Sequence, residues 1–215
     1  MDKLSVIIPA RNESENLCDC ISEIVLELNK NKISYEILVI DDGSTDKTSK
    51  LLSEITTQNS CVRFLRNQCE NGFGYAVRLG LQEFKGDAVA IMMADRSDSP
   101  NDLVIYWKCL QSGYDCAFGS RFIQGSKVLD YPHIKLIANR VVNTMIRIAF
   151  KIESNDITNA FKMYKREVIE GCRPFISPHF NLTVEIPLKA IIRGYSWKVV
   201  PISWKNRTKG VAKLK

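Results

Sequence analysis

The chain has 215 residues, 45% of them apolar, enough for one substantial core and pointing to a single domain. Its 30 basic residues against 24 acidic ones leave a net charge of +6. That excess is too small to imply a nucleic-acid partner without a clustered basic face; it suits an anionic ligand such as a nucleotide or phosphate, or an anionic lipid surface. Seven cysteines show neither CxxC nor zinc spacing and mostly read as small buried hydrophobes, so a reducing, cytoplasmic setting is expected. The opening "MDKLSVIIPARNE" lacks the pattern of a signal peptide, and no stretch of about 20 apolar residues is there to span a membrane.

In chain order, "LSVIIPA" is a short β-branched run and reads as a buried strand. From Glu13 to about Leu28, Leu17, Cys20, Ile21, Ile24, Val25 and Leu28 recur at helical spacing. "YEILVI" is a second buried strand, stopped by "DDGST". Asp46 is placed to cap the next helix, whose core face is Leu51, Leu52 and Ile55. "VRFLR" predicts a third strand, "NGFGYAVRLGLQEF" a glycine-rich entry into a helix, and "AVAIMM" a fourth strand. Ser99-Pro100 fits N-cap and N1 of a helix running through Leu110, and "DCAFGS" is a fifth strand. Further on, "PHIKLIANRVVNTMIRIAFKI" is amphipathic, "NLTVEIPLKAIIRG" is another helix, and "WKVVPISW" is a strand whose interior proline suggests an edge.

Strands alternating with helices of this length predict an α/β fold with a mostly parallel sheet, which binds ligands at the carboxyl ends of its strands. The polar clusters fall at those ends: "PARNE", "DDGST", "ADRSD" and "GSRF". Asp95 ends a strand, where it is rigidly placed for a hard divalent cation, and Asp98 or Ser97 offers a further oxygen. Alternatively, Asp98 adds charge near the next helix's N-terminus. Asp41 and Asp42 suit a metal, a base or a ribose. Because they are consecutive, an extended backbone points them opposite ways, and a tight turn with an acid cap is the competing explanation.

"SVIIPARNESENL", "YEILVIDDGSTDKT", "GYAVRLGL", "GDAVAIMMADRSDSP", "FGSRF" and "RGYSWKVVPISWKNRTKGVAKLK" occur in this order over nearly the whole chain. Together they resemble the glycosyltransferase family 2 catalytic domain, in the dolichol-phosphate (polyprenyl-phosphate) mannosyltransferase branch. The resemblance implies a GT-A fold, a Rossmann-like sheet flanked by helices, as one domain over residues 1–215. Residues 1–121 would bind the nucleotide sugar and 122–215 the acceptor. Pro9, Ala10, Arg11 and Glu13 would line the base and ribose, Asp41 would contact the base, and Asp42 would lie near the ribose or metal. Asp95 would be the acid binding a divalent metal, Mg2+ or Mn2+. Arg121, Arg140, Arg207 and Lys213 would hold phosphate, with Asp95, Arg121 and Arg207 carrying the catalysis. One departure is plain: the family's Asp-Ala-Asp reads Met93-Ala94-Asp95 here, and a new acid appears at Asp98.

The implied reaction is inverting hexose transfer from a nucleotide diphosphate sugar to a polyprenyl phosphate at the cytoplasmic face of a membrane. A sugar hydroxyl acceptor needs a general base, whereas a lipid phosphate is already anionic. The Glu-Asp pair of polysaccharide-forming relatives is replaced here by Glu185-Ile186, which favours the phosphate. Glu185 is left as a base, a donor-sugar contact, or simply an i+4 partner of Lys189. The segment from Pro132 to Ile152, with Lys135, Arg140 and Arg147 among its apolar residues, would lie in a membrane interface or cover the sheet. His133 and His179 receive no role, and Trp107, Trp197 and Trp204 read as packing. Two other functions stand beside this one: sugar addition to a glycan or lipid-linked saccharide, and a non-catalytic nucleotide-sugar-binding module. A nucleotidyltransferase is disfavoured because no G-x-G phosphate loop with a following lysine lies near the N-terminus.

Overall fold

The computed structural model describes residues 1–207 and Lys209. Strand β1 (Lys3–Ala10) leads through helix α1 (Leu17–Lys30) to β2 (Ser34–Asp41), α2 (Thr48–Gln58) and β3 (Val62–Arg66). Helix α3 (Phe73–Glu83), β4 (Ala88–Ile91), α4 (Pro100–Gln111) and β5 (Cys116–Ser120) follow. Then come β6 (Lys127–Leu129), α5 (His133–Phe150), β7 (Lys162–Lys165), α6 (Arg166–Gly171), α7 (Leu182–Ile192), β8 (Trp197–Pro201) and β9 (Ser203–Lys205).

Seven strands form one sheet in the order β3-β2-β1-β4-β7-β5-β8. Side chains alternate across a strand, so β1 serves two cores at once. Leu4, Val6 and Ile8 face α1 and α4, packing with Leu17, Ile24, Leu103 and Tyr106. Ile7 faces the other way, onto Val77 and Leu81 of α3, in the layer that also holds Leu182 and Ile186 of α7. Completely buried aliphatic side chains of this kind stabilise by about 1.5–3 kcal/mol each, which is why β1, β2 and β4 read as unbroken apolar runs.

The chain leaves β1 toward β2 and β3, then returns to place β4 on β1's other side. That reversal opens a crevice beyond the carboxyl ends of β1 and β4, the usual ligand position in such sheets. Register brings Ala10 opposite Asp41, so the ends of β1 and β2 are level. Asp46 lies one residue before the N-cap Lys47 of α2 and accepts the Thr48 N–H at 2.9 Å, and Ser99 with Pro100 opens α4.

Three features differ from the sequence pattern. Strand β7 runs antiparallel between β4 and β5 and was not predicted; its first residue is Lys162, a charge within the core. The Lys162 ammonium is satisfied by the carbonyl oxygens of Ile157 (2.9 Å), Thr183 (3.3 Å) and Asn159. "WKVVPISW" is two strands. β8 is the expected edge, ending at Pro201, whereas β9 leaves the main sheet to pair with β6. Lastly, the apolar stripe of α5 faces outward: Ile134, Ile137, Met145 and Ile148 are 65–85% exposed. Its one fully buried residue is polar, Asn143. Covering the sheet therefore does not account for this stripe.

Candidate active site

Strand β4 delivers the acid loop. Met92 still donates to the Ile7 carbonyl (3.0 Å), and the chain then turns at Met93-Ala94-Asp95. Asp95 Oδ1 accepts the Ser97 N–H at 3.1 Å, the short side-chain turn that aspartate favours. Its Oδ2 lies 2.5 Å from Arg207 Nη2. Arg96, at φ 61°, takes the left-handed conformation and is turned away from the site by Asp19 (2.8 Å) and Glu23 of α1. The chain then returns to bury Asp98, whose Oδ2 accepts the Met93 N–H at 3.2 Å.

Strand β9 straps this loop. Lys205 N–H donates to the Ser97 carbonyl (2.9 Å), and Asp98 forms a β-bridge with Trp204. Just beyond, the Arg207 guanidinium lies between Asp95 and Glu13, 3.6 Å from the latter. Burial pushes the Asp98 carboxyl up to about 7; the Asp95 charge adds to that, and the Met93 N–H opposes it. Two acids this close in a dry setting call for positive charge.

A cavity of about 460 Å³ opens beside this loop. Asp95, Ser97 and Asp98 form one wall, Arg121 and Arg207 supply positive charge, and α5 contributes Lys135, Ala138 and Val142. Tyr131, Phe180 and Trp204 complete an aromatic lining. A second cavity of about 380 Å³ shares Asp95, Asp98 and Trp204 with the first and adds Lys127 and Lys205.

Arg121 is tightly held. Asp156, completely buried, accepts its Nε (2.8 Å), its Nη2 (2.7 Å) and its backbone N–H (3.0 Å). Tyr131 Oη lies 3.3 Å from Nη1. Arg140 has a different place: it stacks on Phe122, donates to the Asn155 carbonyl (3.1 Å), and does not line the larger cavity. Lys135, one turn earlier on α5, does line it. Lys213 lies outside the described residues.

The nucleotide candidates gather at the ends of β1 and β2. Pro9 and Ala10 are buried, Arg11 is exposed, and the buried Glu13 carboxylate accepts from Asn16 (2.9 Å). Asp41 accepts the Ser44 N–H (2.9 Å) and the Ser49 hydroxyl (2.5 Å). Asp42 accepts from Asn67 (2.7 Å) and the Gly72 N–H (2.8 Å). Burial raises the Asp42 carboxyl, against those two bonds. Each carboxylate thus anchors its own loop, Asp41 within the turn itself and Asp42 the entry to α3.

Among the described residues, no group of three or more His, Cys, Asp or Glu side chains is placed to hold a metal. The oxygens available are the Asp95 and Asp98 carboxylates. Hard divalent cations are commonly bound by one or two carboxylates together with substrate phosphates, so this donor set fits such an ion. The guanidinium on Asp95 marks the place where positive charge is wanted. Asp156, Tyr131 and Phe180 are not singled out by the sequence, and Trp204 reads there as packing. For Asp156 the polar run "NDITN" is the one local signal, and the other aromatics look like ordinary packing residues.

The seven-stranded sheet with its acid loop at the β4 end defines a GT-A glycosyltransferase fold. Glucosyl-3-phosphoglycerate synthase from Mycobacterium tuberculosis, solved with Mn2+, UDP and phosphoglyceric acid, superposes with a TM-score of 0.73 at 17% identity, covering 98% of this chain and 72% of that one. The same enzyme solved with Mg2+ and UDP gives 0.73 at 16% identity, covering 98% and 73%. Residues 5–173 match Glycosyl transferase family 2, and the chain belongs to that family. It is 34% identical to a dolichol-phosphate mannosyltransferase of Pyrococcus furiosus, over 99% of this chain and 59% of that protein. It is also 32% identical to a polyprenol monophosphomannose synthase of Mycolicibacterium smegmatis, over 97% of this chain and 80% of that protein. The chain thus spans about three fifths of the first relative's length and four fifths of the second's.

Glu185 does not line the larger cavity. Its carboxylate accepts from Lys189 (2.6 Å), the Ser177 N–H (2.8 Å) and the Ile176 N–H (3.0 Å), fixing the loop that leads to Phe180. Burial alone would raise its carboxyl, but these bonds outweigh it and hold it down at about 2, against an ordinary 4.5. A carboxylate held so low is a poor proton acceptor near neutrality. Its stabilising effect is present above pH 4.5 and is lost as pH falls toward 2. Glu185→Gln is expected to cost about 1–3 kcal/mol at pH 7. Urea unfolding of both proteins over an acid pH series should show that gap closing below pH 4.5; a constant gap would contradict this anchoring role.

Proposed function

We propose that this chain moves a hexose from a nucleotide diphosphate sugar to a polyprenyl phosphate, with inversion at the anomeric carbon. The observation that carries the reading is the larger cavity. It joins the Asp95–Asp98 wall to Arg121 and Arg207, and it is walled by α5, whose neighbouring stripe of isoleucine and methionine faces solvent. A ligand with an anionic head and an apolar tail matches both parts. The names of the Pyrococcus and Mycolicibacterium relatives support the same acceptor class.

In this reading the nucleotide lies across the ends of β1 and β2, against Pro9, Ala10, Arg11 and Glu13, with Asp41 and Asp42 shaping its floor. Asp95 and Asp98 would hold a divalent cation, Mg2+ or Mn2+. When bound, that cation neutralises charge developing on the diphosphate leaving group. Arg207 adds positive charge on the same side, and Arg121 holds the acceptor phosphate. Charge placed in advance where it develops in the transition state is the main contribution such a site makes. The acceptor is already an anion and needs no proton removed, in keeping with Glu185 being committed to its loop.

No helix among the described residues is long and apolar enough to cross a membrane. Membrane contact is instead assigned to α5, lying in the interface with Ile134, Ile137, Met145 and Ile148 toward the acyl chains.

The reading predicts transfer of radiolabelled hexose from GDP-mannose or UDP-glucose to a short polyprenyl phosphate. Asp95→Asn should lower that rate by about a hundredfold or more while the fold is retained. Turnover near the wild-type level in Asp95→Asn would remove the metal assignment. Replacing Ile137 and Met145 together by serine should cut co-sedimentation with anionic phospholipid vesicles by about tenfold or more, from the apolar area lost. Equal sedimentation of both proteins would show that α5 is not the membrane face.

A further inference from the structure

Between α5 and β7 lies the segment Asn155–Asn159, and it ties the end of β5 to α5. Asn155 accepts the Ser120 hydroxyl (2.6 Å) and donates to the Phe122 carbonyl (3.0 Å). Asn159 donates to the Gly119 carbonyl (3.1 Å). Thr158 Oγ1 accepts from Asn139 (3.0 Å) and Asn143 (2.8 Å) of α5. At its centre Asp156, 0% exposed, takes Nε, Nη2 and the backbone N–H of Arg121.

That grip leaves a single edge of the guanidinium. Nε and Nη2 are taken up by the Asp156 carboxylate in a two-point fork, the strong and directional geometry for this pair. The rings of Phe122, Tyr131 and Trp204 stand 5.3–5.8 Å from Arg121 Cζ and restrict its rotation. Nη1 donates one hydrogen to Tyr131 Oη (3.3 Å) and keeps its second, on the cavity lining. The buried Lys162 amine, lowered to about 7 by burial, bonds the Ile157 and Asn159 carbonyls and so pins the same segment. Asp156 is therefore the counter-charge of the buried Arg121 guanidinium, and a neutral residue there would leave that charge uncompensated.

We propose that Asp156 is a positioning residue of the site. It sets the one orientation in which Arg121 offers Nη1 to an anionic phosphate in the cavity, and the Asn155–Asn159 segment links that orientation to α5. This rests on the reading of Arg121 as an acceptor-phosphate ligand. Asp156 touches no substrate itself; it acts through the fork.

The test is calorimetric binding of a short-chain polyprenyl phosphate to the full chain, with GDP and UDP binding measured in parallel. Asp156→Asn should weaken lipid-phosphate binding by about tenfold, the scale on which supporting residues affect a ligand group, and leave nucleotide binding unchanged. Arg121→Lys keeps the buried cation but cannot form the fork, so it should show the same loss and carries the test if Asp156→Asn fails to fold. Adding Asp156→Asn to Arg121→Ala should cause no further loss. Wild-type lipid-phosphate affinity in Arg121→Lys, or equal loss of nucleotide and lipid phosphate in Asp156→Asn, would overturn the positioning role. Wild-type affinity in Arg121→Ala would instead overturn the phosphate role of Arg121 on which it rests.

Discussion

A carboxylate at the end of a buried strand needs a counter-charge, and Asp95 obtains one from the far end of the chain. Arg207, 112 residues away in sequence, meets it at 2.5 Å and also approaches Glu13 after β1. A contact of this kind is worth little in open water and considerably more where both groups are largely buried. It closes a ring of elements, with the loop after β1 supplying Glu13, the loop after β4 supplying Asp95, and the segment after β9 supplying the guanidinium. The β-bridge between Asp98 and Trp204 and the Lys205–Ser97 hydrogen bond hold the same strap in place. The walls of the larger cavity, from Asp98 to Trp204, depend on that closure.

The site divides into two parts that solve opposite electrostatic problems. At the β4 end, Asp95 and Asp98 gather negative charge, and burial raises Asp98 to about 7. Further along the sheet, the Arg121 guanidinium supplies positive charge, held by the buried acid Asp156. Opposed charges sharing one cavity suit a reaction in which charge moves from a breaking bond to a leaving group while an anion approaches. Tyr131 and Trp204 line the cavity beside Arg121, and apolar surface there strengthens its interactions. The α5 wall adds an apolar boundary that a small polar acceptor would not require.

Much of this was legible in the sequence, for physical reasons. Runs such as "LSVIIPA" and "YEILVI" are apolar on both faces because helices cover both, and only a central parallel strand combines that pattern with such short length. A run of that type with Asp95 just beyond it pointed to the loop that walls the cavity. Strand β7 was not legible, because "KMYK" begins with a lysine and nothing local shows that three carbonyls will satisfy it. Periodicity found α5 but could not tell which side its apolar stripe faces, since core-facing and membrane-facing helices share that pattern. The partners of Arg121 and Arg207 were hidden for another reason. Asp156 lies 35 residues from Arg121, and Asp95 lies 112 from Arg207, so only the folded sheet brings each pair together.

The central claim is that the acid loop of β4, with its missing first acid at Met93, still forms a nucleotide and metal site. Calorimetric titration of GDP and UDP, each with and without manganese, tests it most directly. The account predicts that one of the two nucleotides binds, and only when manganese is present. A folded protein that binds neither nucleotide, or binds one equally well without the metal, would contradict it.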